Sequence, residues 1–288
     1  MQDFITNNVE LSNEEFKIIS EYIETNVGIR MPPTKRIMMQ SRLLHRLKKL
    51  GIKSFSEYID YTFHKDVTKK ELVFMTDVLT TNKTEFFREN DHFEILSSTI
   101  LDDLYNSGKS NLHIWSAGCS TGEEVYTLAI VLKEFIENNP GKILDFNILG
   151  TDISTRVLDR AVNGVYEADT VTDLPLVMKR KYFLKSKNPG DRLVRIKPAL
   201  RKHASFERLN FMDAHYNVRK DFNIIFCRNV LIYFDKKTQK QIIEKFCTHL
   251  ADDGYLFLGH SETILSMKLP LKLVAPTVYR KTGSIQSL

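Results

Sequence analysis

The sequence predicts a small all-helical domain followed by a parallel α/β domain that binds a nucleotide-type cofactor. Three observations predict it. Residues 1 to 80 carry helix-capping signatures in front of apolar residues at helical spacing. From residue 111 onward, apolar runs of strand length alternate with amphipathic helical segments. The first of those strands runs into a glycine-bearing turn, Ile114-Trp115-Ser116-Ala117-Gly118-Cys119-Ser120-Thr121-Gly122-Glu123-Glu124, where backbone can approach a ligand.

In the N-terminal segment, Ser12-Asn13-Glu14-Glu15 forms a capping box ahead of Phe16, Ile19, Ile23 and Val27, and Pro32-Pro33 closes that helix. A second helix follows from about Lys35. Met39, Leu43, Leu47 and Leu50 make its apolar stripe, Lys35, Arg42, Arg46 and Lys49 line up beside it, and Gly51 ends it. Ser54 with Glu57, and Thr68 with Glu71, are predicted to start two more helices. Arg30, Lys35, Arg36, Arg42, Arg46, Lys48, Lys49 and Lys53 fall between residues 30 and 53 without one acid, a block that seeks an acidic partner.

The α/β pattern reads as strand 112–116, helix 122–138, strand 144–150, helix 154–163, strand 223–228, helix 236–250 and strand 254–260. An irregular insert, 164 to 210, interrupts it. Within the insert, Tyr182-Phe183-Leu184 and Leu193-Val194-Arg195-Ile196 flank Asn188-Pro189-Gly190-Asp191, predicting a β-hairpin subdomain at about 180–208. Leu271 to Tyr279 is β-rich and is expected as one edge strand, the place where Pro276 fits. The predicted organisation is 1–80 helical, 81–110 linker and first helix of the second domain, and 111–288 Rossmann-like.

At 288 residues, with 42% hydrophobic and 27% charged residues, the chain has the composition of a globular protein of two domains. Its apolar runs fall short of a membrane span, which excludes membrane insertion as an expectation. Met1 to Asn8 lack the basic and apolar regions of a leader, so a cytoplasmic protein is expected. Cys119, Cys227 and Cys247 are odd in number and without CxxC spacing, which predicts reduced thiols, and no metal is implied.

Glu123 and Glu124 suit the positive end of a helix dipole but repel a pyrophosphate, so they favour a ligand with an ammonium or sulfonium group. S-Adenosyl-L-methionine carries both; the bland alternative is that the two acids only cap a helix. The second strand ends Ile148-Leu149-Gly150-Thr151-Asp152, placing a carboxylate where a ribose hydroxyl pair would lie, with the cap of the next helix left to Ser154. Arg228 and Asn229 follow the third strand and point to the crevice at its carboxyl end. Asn210-Phe211-Met212-Asp213 offers an amide and an aromatic face to an adenine, or forms a simple turn. Thr80 to Arg88 is a polar junction that reads as a surface linker.

Taken together, TTNKTEFFRE, WSAGCSTGEE, GTDIS, FCRNVLIYFDKKTQ and GYLFLGHSE, in this order, resemble the chemotaxis receptor methyltransferase (CheR) family. The resemblance implies a class I S-adenosylmethionine-dependent methyltransferase domain behind a helical N-terminal domain. It implies methyl transfer to glutamates on the cytoplasmic helices of chemoreceptors, with S-adenosyl-L-homocysteine as product. The cofactor contacts it implies are Asn82, Thr84, Arg88, Glu124, Asp152, Asn210, Phe211, Arg228 and Asn229, and the active-site pair is Arg88 with Tyr233. From the residues alone, Tyr233 reads first as core between Ile232 and Phe234, because the run is apolar. The basic helix would face the acidic methylation region of the receptor. Some members bind a receptor C-terminal peptide on a glycine-rich hairpin. Here that loop holds one glycine, although Arg195 is retained.

Two other functions fit parts of the sequence: a nucleic-acid methyltransferase, for the basic helical segment, and a non-catalytic cofactor-sensing protein. RNVLIYF lacks the paired prolines of adenine-amino methylases and no base-stacking module is evident, so no nucleic-acid partner is expected.

Overall fold

The computed structural model describes residues 9–142 and 144–283. The leader reading of Met1 to Asn8 therefore lies outside the described residues. The chain divides into two compact units, one running to Thr81 and taking in Tyr233–Asp235, the other holding Asn82–Ile232 and the chain from Lys236 onward.

The first unit contains α1 (Asn13–Val27), α2 (Arg36–Leu50), α3 (Phe55–Asp60), which runs on through a π-type turn to Lys65, and α4 (Lys70–Leu79). The capping box of α1 forms in both directions: Ser12 Oγ accepts the Glu15 N–H at 3.2 Å and Glu15 Oε2 accepts the Ser12 N–H at 2.8 Å. Phe16, Ile19, Ile23 and Val27 of α1 and Met39, Leu43 and Leu47 of α2 are buried, as the periodicity requires. The expected Thr68–Glu71 box does not form. Asp66 takes both donors instead, the Thr68 hydroxyl and the Glu71 N–H, each at 2.6 Å, and α4 begins at Lys70. A carboxylate already placed before the turn is the stronger acceptor.

In the second unit, α5 (Asp91–Ile95) and α6 (Leu101–Asn106) are joined by a π-type turn, Leu96–Ile100. Then come β1 (Asn111–Ala117), α7 (Glu123–Asn138), β2 (Asp145–Asp152) and α8 (Thr155–Asn163). The insert contributes β3 (Val165–Glu167), α9 (Leu176–Tyr182), β4 (Phe183–Lys185), β5 (Leu193–Ile196) and α10 (Pro198–Arg201). The chain continues through β6 (Ala204–Arg208), β7 (Phe222–Cys227), α11 (Lys236–His249), β8 (Leu250–Leu258), β9 (Leu271–Ala275) and β10 (Val278–Lys281).

The main sheet has seven strands in the order β6-β2-β1-β7-β8-β10-β9, and β3-β5-β4 form a separate small sheet. All pairs from β6 to β8 are parallel, while β10 runs antiparallel to both its neighbours. Every residue of β7 is buried, which fits a central parallel strand covered on both faces. The strand order reverses between β1 and β7, and that switch point opens the crevice at the carboxyl ends of both.

Three expectations change here. The C-terminal segment is a hairpin of two strands, β9 and β10, with Pro276 in the turn between them rather than inside one edge strand. The small sheet gains β3, so it spans 165–196 instead of beginning near 180. β6 pairs with β2 in the main sheet rather than belonging to the insert.

Candidate functional site

The turn after β1 is pinned to the end of β2. Gly118 and Cys119 both donate their N–H to the Thr151 carbonyl, at 2.7 and 2.9 Å, and the Trp115 indole N–H donates to Thr151 Oγ1 at 2.9 Å. Gly118 and Gly122 hold φ of 84° and 93°. A Cβ on Gly118 would lie 2.6 Å from Val230 Cγ2, and one on Gly122 would lie 2.8 Å from Ala161 Cβ. Glycine is therefore required at both, for conformation and for space.

The two acids of the turn part company. Glu123 is buried, its carboxylate accepting the Thr121 hydroxyl at 2.6 Å, and burial raises its pKa. Glu124 turns to the strand ends, where Oε1 accepts the Ser116 hydroxyl at 2.7 Å and Oε2 accepts Arg228 Nε–H at 2.8 Å.

Arg228 is the hub of the site, with 2% of its side chain exposed. Besides Glu124 it donates to the Arg88 carbonyl at 2.6 Å, to the Glu89 carbonyl at 3.3 Å and to His92 Nδ1 at 3.0 Å. Its guanidinium carbon lies 5.1 Å from the Phe93 ring centre and 5.7 Å from that of Phe226. Arginine can only donate, so His92 Nδ1 is the acceptor and the ring proton sits on Nε2, directed at Thr277 Oγ1 at 2.9 Å. Burial first, and the Arg228 charge second, lower the His92 pKa to about 4. His92 is thus a neutral spacer.

Glu89 joins this cluster by accepting Asn229 Nδ2–H on Oε1 at 2.9 Å, with Oε2 3.6 Å from Arg228 Nη1. Burial alone would raise its pKa, but the Asn229 amide and the Arg228 charge bring it below the usual value. Two carboxylates share one guanidinium, leaving the cluster one negative charge in excess.

Asp152 bridges two turns, Oδ2 accepting the Ser120 N–H at 2.9 Å and Oδ1 the Ser154 N–H at 3.0 Å. Ser154 stands at the N-cap of α8, an expected position for the cap, but Asp152 is not left free. The Ser154 hydroxyl is buried and makes no side-chain cap bond, although it holds that position. The Asn82 carbonyl accepts the Ser120 hydroxyl at 2.9 Å, which brings the 82–88 segment to the cofactor turn. Thr84 is half-buried in that segment, and Arg88 Nη1–H reaches back to the Lys83 carbonyl at 2.9 Å.

The remaining candidates have other partners. Asn210 Oδ1 accepts the Met212 N–H at 3.0 Å. The Phe211 ring is buried edge-on against Phe246, 5.6 Å between centres, in the aromatic group that includes Tyr216 and Trp115. Tyr233 falls in the helical unit, where its carbonyl accepts the Arg30 N–H at 3.1 Å and Lys35 Nζ stands 5.8 Å from its ring centre. Its run is not a buried strand: Leu231–Tyr233 form a 3-10 turn, Ile232 is 49% exposed and Tyr233 half-buried.

Sequence reasoning missed Ser116, Glu89, His92 and Glu262, all bonded to the candidates above. Only Ser116 carries a signal, as the polar residue in an otherwise apolar strand end. Among the described residues, Glu89, His92 and His260 place ligand-type atoms within 4.8 Å of one another. Both His92 nitrogens are already engaged, and a buried guanidinium touches the group, which disfavours a cation there.

Residues 82–280 match the family model of the CheR methyltransferase SAM binding domain, and residues 14–80 that of the CheR methyltransferase all-alpha domain. The chain belongs to the CheR methyltransferase family. It is 40% identical to a chemotaxis protein methyltransferase of Borreliella burgdorferi over 95% of this chain and 96% of that one. It is 35% identical to a chemotaxis protein methyltransferase of Salmonella typhimurium over 96% of this chain and 92% of that one. Chemotaxis protein methyltransferase 2 of Pseudomonas aeruginosa is also 35% identical, over 93% of both chains. The CheR chain is accordingly an S-adenosylmethionine-dependent methyltransferase of chemotaxis, with a class I catalytic domain and an all-α N-terminal domain. Among the described residues no helix is long and apolar enough to cross a membrane.

Proposed function

We propose that this enzyme esterifies glutamate side chains on the cytoplasmic helices of chemoreceptors, and that it works in the cytoplasm. The observation that carries the reading is the Glu124–Arg228–Glu89 cluster at the sheet's switch point, a buried guanidinium between two half-buried carboxylates. Its excess negative charge suits S-adenosylmethionine, whose ammonium and sulfonium outweigh its carboxylate, and disfavours a pyrophosphate cofactor. The tight turn Gly118 to Gly122, with Asp152 beside it, suits the nucleoside part of the same ligand. Asn82, Thr84, Arg228, Asn229, Asn210 and Phe211 complete the proposed contacts.

The bound cofactor supplies an electrophilic methyl on a sulfonium. The protein's work is positional. A substrate glutamate is ionised at neutral pH, so no side chain need act as base. Arg88 has five N–H donors, one spent on the Lys83 carbonyl, and we assign it to steering the substrate carboxylate, with the Tyr233 hydroxyl orienting it. Attack requires one carboxylate oxygen at about 3 Å from the methyl carbon, in line with the bond that breaks. The exposed bases of α2, Lys48 and Lys49, are the proposed receptor-facing charges, and the β3-β5-β4 sheet is the proposed place for a receptor C-terminal peptide.

Incubating the pure enzyme with methyl-labelled cofactor and a receptor cytoplasmic fragment tests this. Label released as methanol in mild base, and lost when the receptor glutamates become alanine, is the expected result. Tight cofactor binding without transfer to a native receptor fragment would move the assignment to another substrate or to a sensing role.

A further inference from the structure

The Gly259-His260-Ser261-Glu262 run after β8 has no task in the reaction as described, yet it holds the turn that follows β7. Glu262 is 4% exposed. Its Oε2 accepts the N–H of Asn229 at 2.8 Å and of Gly259 at 2.7 Å, and its Oε1 accepts the N–H of Ile232 at 3.2 Å. One buried carboxylate thus satisfies backbone donors at both ends of the segment Asn229–Ile232.

The segment needs that hold. Asn229 adopts φ of 60°, a conformation that persists in a non-glycine residue when its surroundings impose it. Gly259 supplies the room: a Cβ there would lie 2.8 Å from Asn229 N, from Asn229 Nδ2 and from Glu262 Oε2. From the other side, the Asn229 amide is fixed by Glu89 and Val230 packs over Gly118. The same segment carries a proposed cofactor contact, Asn229, and ends one residue before the proposed catalytic Tyr233.

We propose that Glu262 is a positioning residue, a carboxylate clasp that holds Asn229 toward the cofactor with one oxygen and sets the chain entering Tyr233 with the other. The inference rests on the reading of Asn229 and Tyr233 given under Proposed function. The two oxygens make separable predictions. In Glu262→Gln the single remaining carbonyl oxygen satisfies the paired donors, Asn229 and Gly259, while the new NH2 faces the Ile232 N–H. Glu262→Ala removes both holds.

The experiment measures cofactor affinity by calorimetry, kcat on a receptor fragment, and amide exchange of residues 229, 232 and 259. Glu262→Gln is expected to lower kcat about tenfold with cofactor Kd within about twofold, and to speed exchange at Ile232 alone. Glu262→Ala is expected to weaken cofactor binding by about tenfold as well, and to release all three amides. If Glu262→Ala fails to fold, the Gln variant and slow exchange of the three amides in the unmodified enzyme still decide. Equal changes in kcat and Kd for both variants, or loss of melting temperature alone, would reduce Glu262 to a structural residue. Fast exchange at the three amides in the unmodified enzyme would overturn the clasp outright. An enzyme that binds cofactor but fails to methylate the receptor fragment contradicts the substrate assignment, while the affinity and exchange measurements still judge Glu262.

Discussion

Arg228 and Arg46 carry the same guanidinium fork, but into different kinds of neighbourhood. Arg228 gathers acceptors from two distant stretches of chain, the 88–92 segment and Glu124, and is sealed from water at 2% exposure. Arg46 closes within the helical unit on one partner, Glu71, which also accepts the Tyr58 hydroxyl at 2.8 Å, and lies 3.9 Å from the Phe74 ring centre. Arg42 likewise turns inward, one Nη donating to the carbonyls of Val78, Leu79 and Thr80 and so satisfying the end of α4. Lys48 and Lys49 stay exposed. The crevice spends its arginine on holding a charged site together, whereas the basic helix spends all three of its arginines on its own fold, Arg36 donating to the Leu11 carbonyl, and leaves its lysines exposed. A block of bases is not uniformly a binding surface.

The largest effect that separates the two regions is expected from Arg228→Met. It strands Glu124 without its cation, so it should cost about 3–5 kcal/mol in urea unfolding and abolish measurable cofactor binding in calorimetry. The comparison breaks if stability falls while cofactor affinity survives.

Next comes a pH effect specific to the crevice. The His92 pKa is about 4 in the folded enzyme against an ordinary 6.5, so between these values the unfolded chain takes up the proton first. Stability is therefore complete above pH 6.5 and declines toward pH 4, by roughly 3 kcal/mol from this residue. His92→Asn, whose carbonyl oxygen can replace Nδ1 as acceptor, should remove that share of the slope; identical pH–stability curves for the two proteins would refute the neutral-spacer role.

Arg46→Met should cost about 2 kcal/mol by loss of a charged hydrogen bond to buried Glu71, and leave cofactor Kd unchanged. The smallest stability effect belongs to Lys48→Glu with Lys49→Glu, within about 0.5 kcal/mol, since both are exposed. Their methylation of a receptor fragment should nonetheless fall several-fold at low ionic strength and approach the unmodified enzyme at high salt. Unchanged rates at low salt would remove α2 from the receptor-facing surface.

Much of this architecture is legible in the sequence because local patterns carry it. Ser12 with Glu15 announces α1, and the apolar run into Gly118 announces the turn at the switch point. Asp152 and Arg228 stand at strand ends and Glu124 in the first turn of the helix after the glycine turn, so all three can be found by position alone. His92 and Glu262 cannot: their partners lie 136 and 33 residues away in sequence, and nothing in DHFE or GHSE declares a buried acceptor. β3 is three residues long and β6 shows no clean alternation, so neither rises above the irregular insert around it. The helical wheel placed Arg42 on a basic face but could not show that α4 ends under it, with carbonyls in need of donors.

The most direct test of the account is to map the transferred methyl on receptor helices by mass spectrometry after reaction with the unmodified enzyme. Methyl groups confined to glutamate side-chain carboxyls, and absent with Arg88→Ala, are the predicted result. Methyl on lysine or arginine nitrogen, or on copurifying nucleic acid with the receptor unmodified, would contradict it.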